Sequence, residues 1–185
     1  MNILVLDTEV YSNTGGQASK SSQIGSVSKF ASRGKTTNKK DLTKIALTYK
    51  NAYVATVSLG YNMAHTIKVF KEAVAYNGPS IIIAYSPCIA HGILKGMNSV
   101  EEEKLATESG YFPLFRYHPE TGFKLDSKAD FSKYYEFIAG EDRYRTLKKI
   151  NEESYKELLE ANLENAKERY EHFKKLEEKS LEQDI

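Results

Sequence analysis

Ile3-Leu4-Val5-Leu6-Asp7-Thr8-Glu9-Val10-Tyr11-Ser12-Asn13-Thr14-Gly15-Gly16-Gln17 opens on an apolar run and closes on a small, polar, glycine-centred loop. The run is short, partly β-branched and ends in Asp and Thr, so it reads as a buried strand. In the loop, Gly15 and Gly16 lack the Cβ that would hold backbone N–H groups away from a ligand. The hydroxyls of Thr8, Ser12 and Thr14 and the Asn13 amide crowd the same turn. Phosphate oxygens and hard cations use such groups. Residue types alone leave two readings open, an ordinary polar loop and a ligand loop.

Working outward, residues 18–38 are rich in Ser, Lys, Gly and Thr, with Ile24, Val27 and Phe30 spaced for one short helical turn. Asp41 is suited to cap a helix over 42–50 that places Leu42, Ile45, Ala46 and Tyr49 on one face. Residues 52–57 read as a strand. Asn62 can cap the next helix, whose period is carried by Ala64, Ile67, Phe70, Lys71 and Val74 and which Asn77-Gly78-Pro79 stops. Ser80-Ile81-Ile82-Ile83-Ala84-Tyr85 is apolar on both faces, as central parallel strands are. Ser99-Val100-Glu101-Glu102 has the form of a capping box for a helix to about Glu108. Residues 113–117 and 123–125 suit a hairpin or an edge strand with an excursion. Phe131, Tyr134, Tyr135 and Ile138 mark a short helix before Gly140. From about Asn151 the chain is charged and helical, with Leu159, Leu163, Ala166, Tyr170 and Phe173 along one seam. That seam suits either a partner surface or the chain's own domain.

Strands alternating with helices predict an α/β fold with a doubly wound, mostly parallel sheet, residues 1–140, followed by a helical tail, residues 141–185. In such sheets ligands sit beyond the carboxyl ends of strands. Thr8 to Asn13 follow one strand and Cys88 follows another, so both can lie at one edge. The net charge of +1 gives no pull towards nucleic acid or acidic membrane. No apolar run approaches the ~20 residues of a membrane span. One Cys in 185 residues excludes an internal disulfide framework. With no basic-then-apolar leader after Met1, a cytoplasmic location is expected.

Thr8 to Gln17 closely resembles the thiamine-diphosphate domain of the pyruvate:ferredoxin (flavodoxin) oxidoreductases. The resemblance continues through Ser19-Lys20, Tyr85-Ser86-Pro87-Cys88-Ile89-Ala90-His91-Gly92, Ser109-Gly110-Tyr111-Phe112-Pro113-Leu114 and Gly140-Glu141-Asp142-Arg143-Tyr144, covering nearly the whole chain. It implies half of a thiamine-diphosphate-binding fold, with Mg²⁺ held by Thr8 Oγ and the Val10 carbonyl. It places Ser12, Asn13, Gly15 and Gly16 at the cofactor, and Asn13 beside the thiazolium and the bound 2-oxoacid. Cys88 would be one ligand of a [4Fe–4S] cluster. Pyruvate, coenzyme A and ferredoxin or flavodoxin are the implied partners, in a homodimer.

Read without that resemblance, Cys88 is a small buried hydrophobe. Asp7 and Glu9 are solvated or structural charges, and the resemblance gives them no acid or base role. His91 is structural, and His65, His118 and His172 form no constellation. The family's Gly-Asp-Gly and its other cluster cysteines are absent. The chain is therefore expected to be the C-terminal piece of a longer polypeptide, or one subunit of a split enzyme, and inactive alone. The alternative is a stand-alone α/β module that binds a phosphorylated ligand or docks a protein.

Overall fold

In a computed structural model, residues 1–183 are described, so the last two residues of the 141–185 tail lie outside the described residues. The strands are Asn2–Asp7 (β1), Val10–Tyr11 (β2), Gln17–Ala18 (β3), Tyr53–Val57 (β4), Ser80–Tyr85 (β5), Phe115–His118 (β6) and Gly122–Leu125 (β7). The helices are Leu42–Leu47 (α1), Met63–Ala75 (α2), Leu94–Met97 (α3), Ser99–Glu108 (α4), Tyr134–Ala139 (α5), Asp142–Ile150 (α6) and Glu152–Gln183 (α7).

The three apolar runs pair in parallel as β1-β5-β4, and the β6–β7 hairpin extends the sheet antiparallel to β4. Helices cover both faces, as an apolar parallel strand requires. On one face Tyr53, Ala55, Val57 and Ile82 pack against Val69 and Ala73 of α2. On the other, Ile83 and Tyr85 join Tyr111, Tyr134, Phe137, Tyr144, Leu159 and Ala166. The seam of α7 therefore packs on its own domain. Phe173 completes a second cluster with Phe115 and Phe123, at ring-centroid distances of 4.7 and 5.6 Å. Farther along α7, Ser180 Oγ accepts the Phe123 N–H (2.9 Å) and Glu177 Oε1 accepts the Leu125 N–H (3.1 Å). Among the described residues, no helix is long and apolar enough to cross a membrane.

Five expectations fail in an instructive way. β1 is an edge strand, not a buried one: Leu4 and Leu6 are 49% and 62% exposed. They are in register with Ile82 and Ala84, so they lie on the α2 side of the sheet, where nothing among the described residues covers them. The periodic face of α2 is likewise turned outward. Ile67, Phe70 and Val74 are exposed, while Thr66, Val69 and Ala73 are buried, because only the smaller stripe fits close over β4 and β5. In α1, Leu42, Ile45 and Tyr49 are exposed and Ala46 alone of the expected face is buried. Residues 24–30 form no helical turn; Ile24 is buried, but Phe30 is exposed with a left-handed backbone. Asn98, not Ser99, caps α4 by accepting the Glu101 N–H.

A partly buried charge cluster ties α2 to the hairpin. Arg116 forks onto Asp126 (Nε–Oδ2 2.7 Å, Nη2–Oδ1 2.9 Å) and reaches Glu72 of α2 at 2.6 Å. Burial alone would raise the Asp126 carboxyl, but Arg116 and then His65 hold it down at about 2, against an ordinary 3.8. A depressed carboxyl stabilises the fold above its unfolded value, and that contribution is lost as the pH falls towards the folded one. The urea midpoint is therefore expected to drop as the pH is lowered from 3.8 to about 2. Asp126→Asn should lower the midpoint at neutral pH and flatten this acid slope.

Candidate functional site

The carboxyl ends of β1 and β5 set the place. Asp7 stands opposite Tyr85, and the ladder continues one step with Ser86 N–H donating to the Asp7 carbonyl at 3.1 Å. The two chains then part. One forms the β2–β3 ribbon, with Ser12 to Gly15 exposed at its tip. The other runs through Pro87 and Cys88 into a single 3₁₀ turn, Ile89–His91. Cys88 is buried and its Sγ accepts the Ala90 N–H at 3.4 Å. The two segments touch again: His91 Nε2 donates to the Thr8 carbonyl at 2.8 Å, and Gly16 lies against the Ala90 methyl.

Thr8 and Val10 meet at the base of the ribbon. Thr8 Oγ1 is 3.0 Å from the Val10 carbonyl oxygen, to which it donates. Both residues line an open cleft of about 350 Å³ that also takes in Leu6, Tyr11, Lys20 and Lys40. An oxygen pair beside ammonium groups suits a metal-bound phosphate ligand. Ser12, Asn13 and Gly15 are placed elsewhere, at the exposed tip, and Cys88 is buried behind the second segment. Among the described residues, no group of three or more His, Cys, Asp or Glu is arranged to hold a metal.

Glu9, between Thr8 and Val10, is 1% exposed and has a left-handed backbone, φ +55°. Its carboxylate meets Lys39 Nζ at 2.8 Å and accepts the Tyr111 hydroxyl at 2.5 Å. Arg143 Nη1 stands 2.9 Å away, off the hydrogen-bond axis, as a charge pair. Burial alone would raise the Glu9 carboxyl, but Lys39, then Arg143 and His91, hold it well below the usual carboxylate range. Lys39 also binds Asp7 at 2.5 Å, and these two carboxylates raise its ammonium against the effect of burial. Of the two readings of Asp7 and Glu9, solvated or structural, the contacts favour the structural one. Sequence reading found no role for Lys39, Arg143 or Glu141. The only signal was that Glu141 and Arg143 lie inside a family-like string; their partners are distant in the chain, Glu9 for Arg143 and His91 for Glu141.

No family model matches the chain. Curated relatives do. A pyruvate:ferredoxin oxidoreductase of Moorella thermoacetica is 47% identical over 184 residues, 96% of this chain and 16% of the relative. A pyruvate-flavodoxin oxidoreductase of Trichormus variabilis is 51% identical over 165 residues, 86% of this chain and 14% of the relative. A mitochondrial pyruvate dehydrogenase [NADP(+)] of Euglena gracilis is 46% identical over 183 residues, 95% of this chain and 10% of the relative. The chain thus spans between 10% and 16% of the length of these relatives.

By name these relatives are oxidoreductases of pyruvate. The chain is homologous to one segment of the pyruvate:ferredoxin (flavodoxin) oxidoreductases, over nearly its whole length.

The contact between the two segments can be tested at Gly16. Its φ is +87°, and a Cβ there would lie 2.9 Å from the Ala90 Cβ. Gly16→Ala is expected to cost about 1–3 kcal/mol in urea denaturation, from backbone strain and crowding. At Gly15 the added Cβ would meet only the end of the flexible Lys29 side chain, so Gly15→Ala should be the milder change.

Proposed function

We propose that this chain works as a segment of a pyruvate (2-oxoacid):ferredoxin or flavodoxin oxidoreductase. In this reading it supplies Thr8 Oγ1 and the Val10 carbonyl to a magnesium–thiamine diphosphate site and Cys88 to a [4Fe–4S] cluster. The observation that carries the reading is the 3.0 Å separation of the two oxygens. Mg²⁺ holds oxygens at about 2.0–2.1 Å in near-octahedral geometry, which puts neighbouring ligands about 2.9 Å apart. The hydrogen-bonded Thr8 hydroxyl and Val10 carbonyl lie close to that spacing, which supports the reading, and a hydroxyl and a carbonyl are the hard donors Mg²⁺ takes.

When bound, thiamine diphosphate supplies the chemistry that oxidatively decarboxylates a 2-oxoacid to an acyl group for coenzyme A, and the cluster carries the electrons onward. This chain's residues bind and orient. Val10 contributes only its carbonyl, so its side chain is free to be buried. Asn13, at the exposed tip, has an amide that can donate to developing oxyanion charge. Lys20 and Lys40 at the cleft rim offset phosphate charge.

The donor set is completed outside these 185 residues. A [4Fe–4S] cluster takes four thiolates and the chain has one Cys. The free edge of β1 and the outward face of α2 are where the rest of the enzyme docks, on the same polypeptide or a complementing subunit. Relatives six to ten times longer hold ample chain to cover them.

In the assembled enzyme, Thr8→Val should lower pyruvate oxidation and metal affinity by at least the ~10-fold typical of changes around a metal site. Cys88→Ser should keep thiamine diphosphate binding and remove one reduced-cluster signal from the electron paramagnetic resonance spectrum. Unchanged activity and cluster content in both variants would sink this reading. Saturable binding of inorganic phosphate would then point to a stand-alone module.

A further inference from the structure

The buried charges around Glu9 are linked to Thr8 by two routes. The first passes through the backbone of Glu9 itself. A left-handed backbone at a residue with a Cβ is strained and persists only where the surroundings impose it. Here the side chain is imposed from three directions. Lys39 comes from the loop after β3, Tyr111 from the loop after α4 and Arg143 from α6. The second route passes through His91. Its Nε2 donates to the Thr8 carbonyl, and its Nδ1 faces the Glu141 carboxylate at 3.2 Å. Glu141 in turn binds Arg143 Nε at 2.6 Å. The contacts close into a circuit, Glu9–Arg143–Glu141–His91–Thr8, in which the four side chains are at most 3% exposed.

Such a circuit is a poor device for stability alone. Buried ion pairs give back much of their attraction as desolvation, and packed apolar residues often do as well or better. What the circuit does provide is fixed geometry at two adjacent peptide units, Thr8–Glu9 and Glu9–Val10, which meet at the Glu9 Cα. Val10, the next residue, is buried and held in the β2–β3 pair.

We propose that Glu9 and His91 are positioning residues, which with Arg143 and Glu141 hold Thr8 Oγ1 and the Val10 carbonyl at the spacing of a divalent cation. The inference rests on the reading of Thr8 and Val10 as metal ligands. Neither positioning residue touches the cation. Glu9 sets the backbone turn between the two donors, and His91 fixes the Thr8 peptide plane.

The test is Mn²⁺ binding, followed by electron paramagnetic resonance in the presence of thiamine diphosphate, on the assembled enzyme that carries this chain. His91→Phe removes the donor to Thr8 and keeps a planar ring. His91→Gln keeps an amide N–H that can reach the same carbonyl. Thr8→Ala removes a ligand outright. His91→Phe should bind Mn²⁺ at least ~10-fold more weakly, and His91→Gln should recover to within ~3-fold of wild type, the behaviour of a residue that orients a ligand. Wild-type affinity in a folded His91→Phe enzyme, with binding lost in Thr8→Ala, would overturn the positioning role and leave the ligand reading standing. Wild-type affinity in Thr8→Ala would overturn both. Should His91→Phe fail to fold, Arg143→Lys, which keeps the charge but loses the fork, provides the same comparison, and wild-type affinity there would count equally against the proposal.

Discussion

A carboxylate without access to water must be surrounded by donors and cations, and the arrangement around Glu9 follows from that need. Its partners come from the 18–40 loop, from the connection after α4 and from α6, so one charge draws together parts of the chain that share no local structure. Removing one partner of a buried pair typically costs about 3–5 kcal/mol, because the other charge is left uncompensated. The 18–40 loop is laced by backbone hydrogen bonds, among them Gly25 N–H to the Lys35 carbonyl and Val27 N–H to the Arg143 carbonyl, both at 2.7 Å, and Lys39 adds a charged anchor. Lys39 also holds Asp7, the last residue of β1, so the end of the strand and the start of the ribbon share one anchor. Asn162 of α7 adds a second tie by donating to the Ile24 carbonyl at 2.7 Å.

The sheet gives these charges a rigid base. β1 and β5 end in register, so two connections leave the same edge side by side and can exchange the His91–Thr8 hydrogen bond. One face of that base is thickly covered by α4 to α7 with an aromatic core. The other is covered by α2 over β4 and β5 and is bare over β1. The difference is functional in the reading advanced above, since the side chains that complete the metal and cluster sites must arrive from the uncovered direction.

How much of this could be read from residues depends on the range of the interaction. β4, β5, the β6–β7 hairpin and the Asp41 and Asn62 caps were legible, because a pleated apolar run, a turn and a cap are decided within a few residues. The periodic stripe of α2 was legible as apolar but misleading as to burial. Periodicity shows that Ile67, Phe70 and Val74 share a face; it does not say what lies against that face. The same holds for β1, whose composition is that of an interior strand and whose position is an edge. In the site, Thr8, Val10 and Cys88 stood out through a family-like string. Lys39, Glu141 and Arg143 did not, because a charged side chain in sequence carries no mark of burial. Glu9 could be read only as a solvated or structural charge for a related reason: its left-handed backbone is not a residue type's preference but the result of its distant partners.

The two hydrogen bonds from α7 to β7 set a direction for the whole sheet. The outward N–H groups of Phe123 and Leu125 are taken by Ser180 and Glu177, so the β7 edge offers an incoming strand few free donors. Edge strands blocked in this way do not recruit further chains. β1, at the opposite end, has no such guard among the described residues and is apolar on both faces. The sheet is therefore extensible at one end only. In the reading advanced above, a strand that adds to β1 would lie next to the loop that holds Thr8 and Val10, so that growth of the sheet and completion of the proposed site would go together.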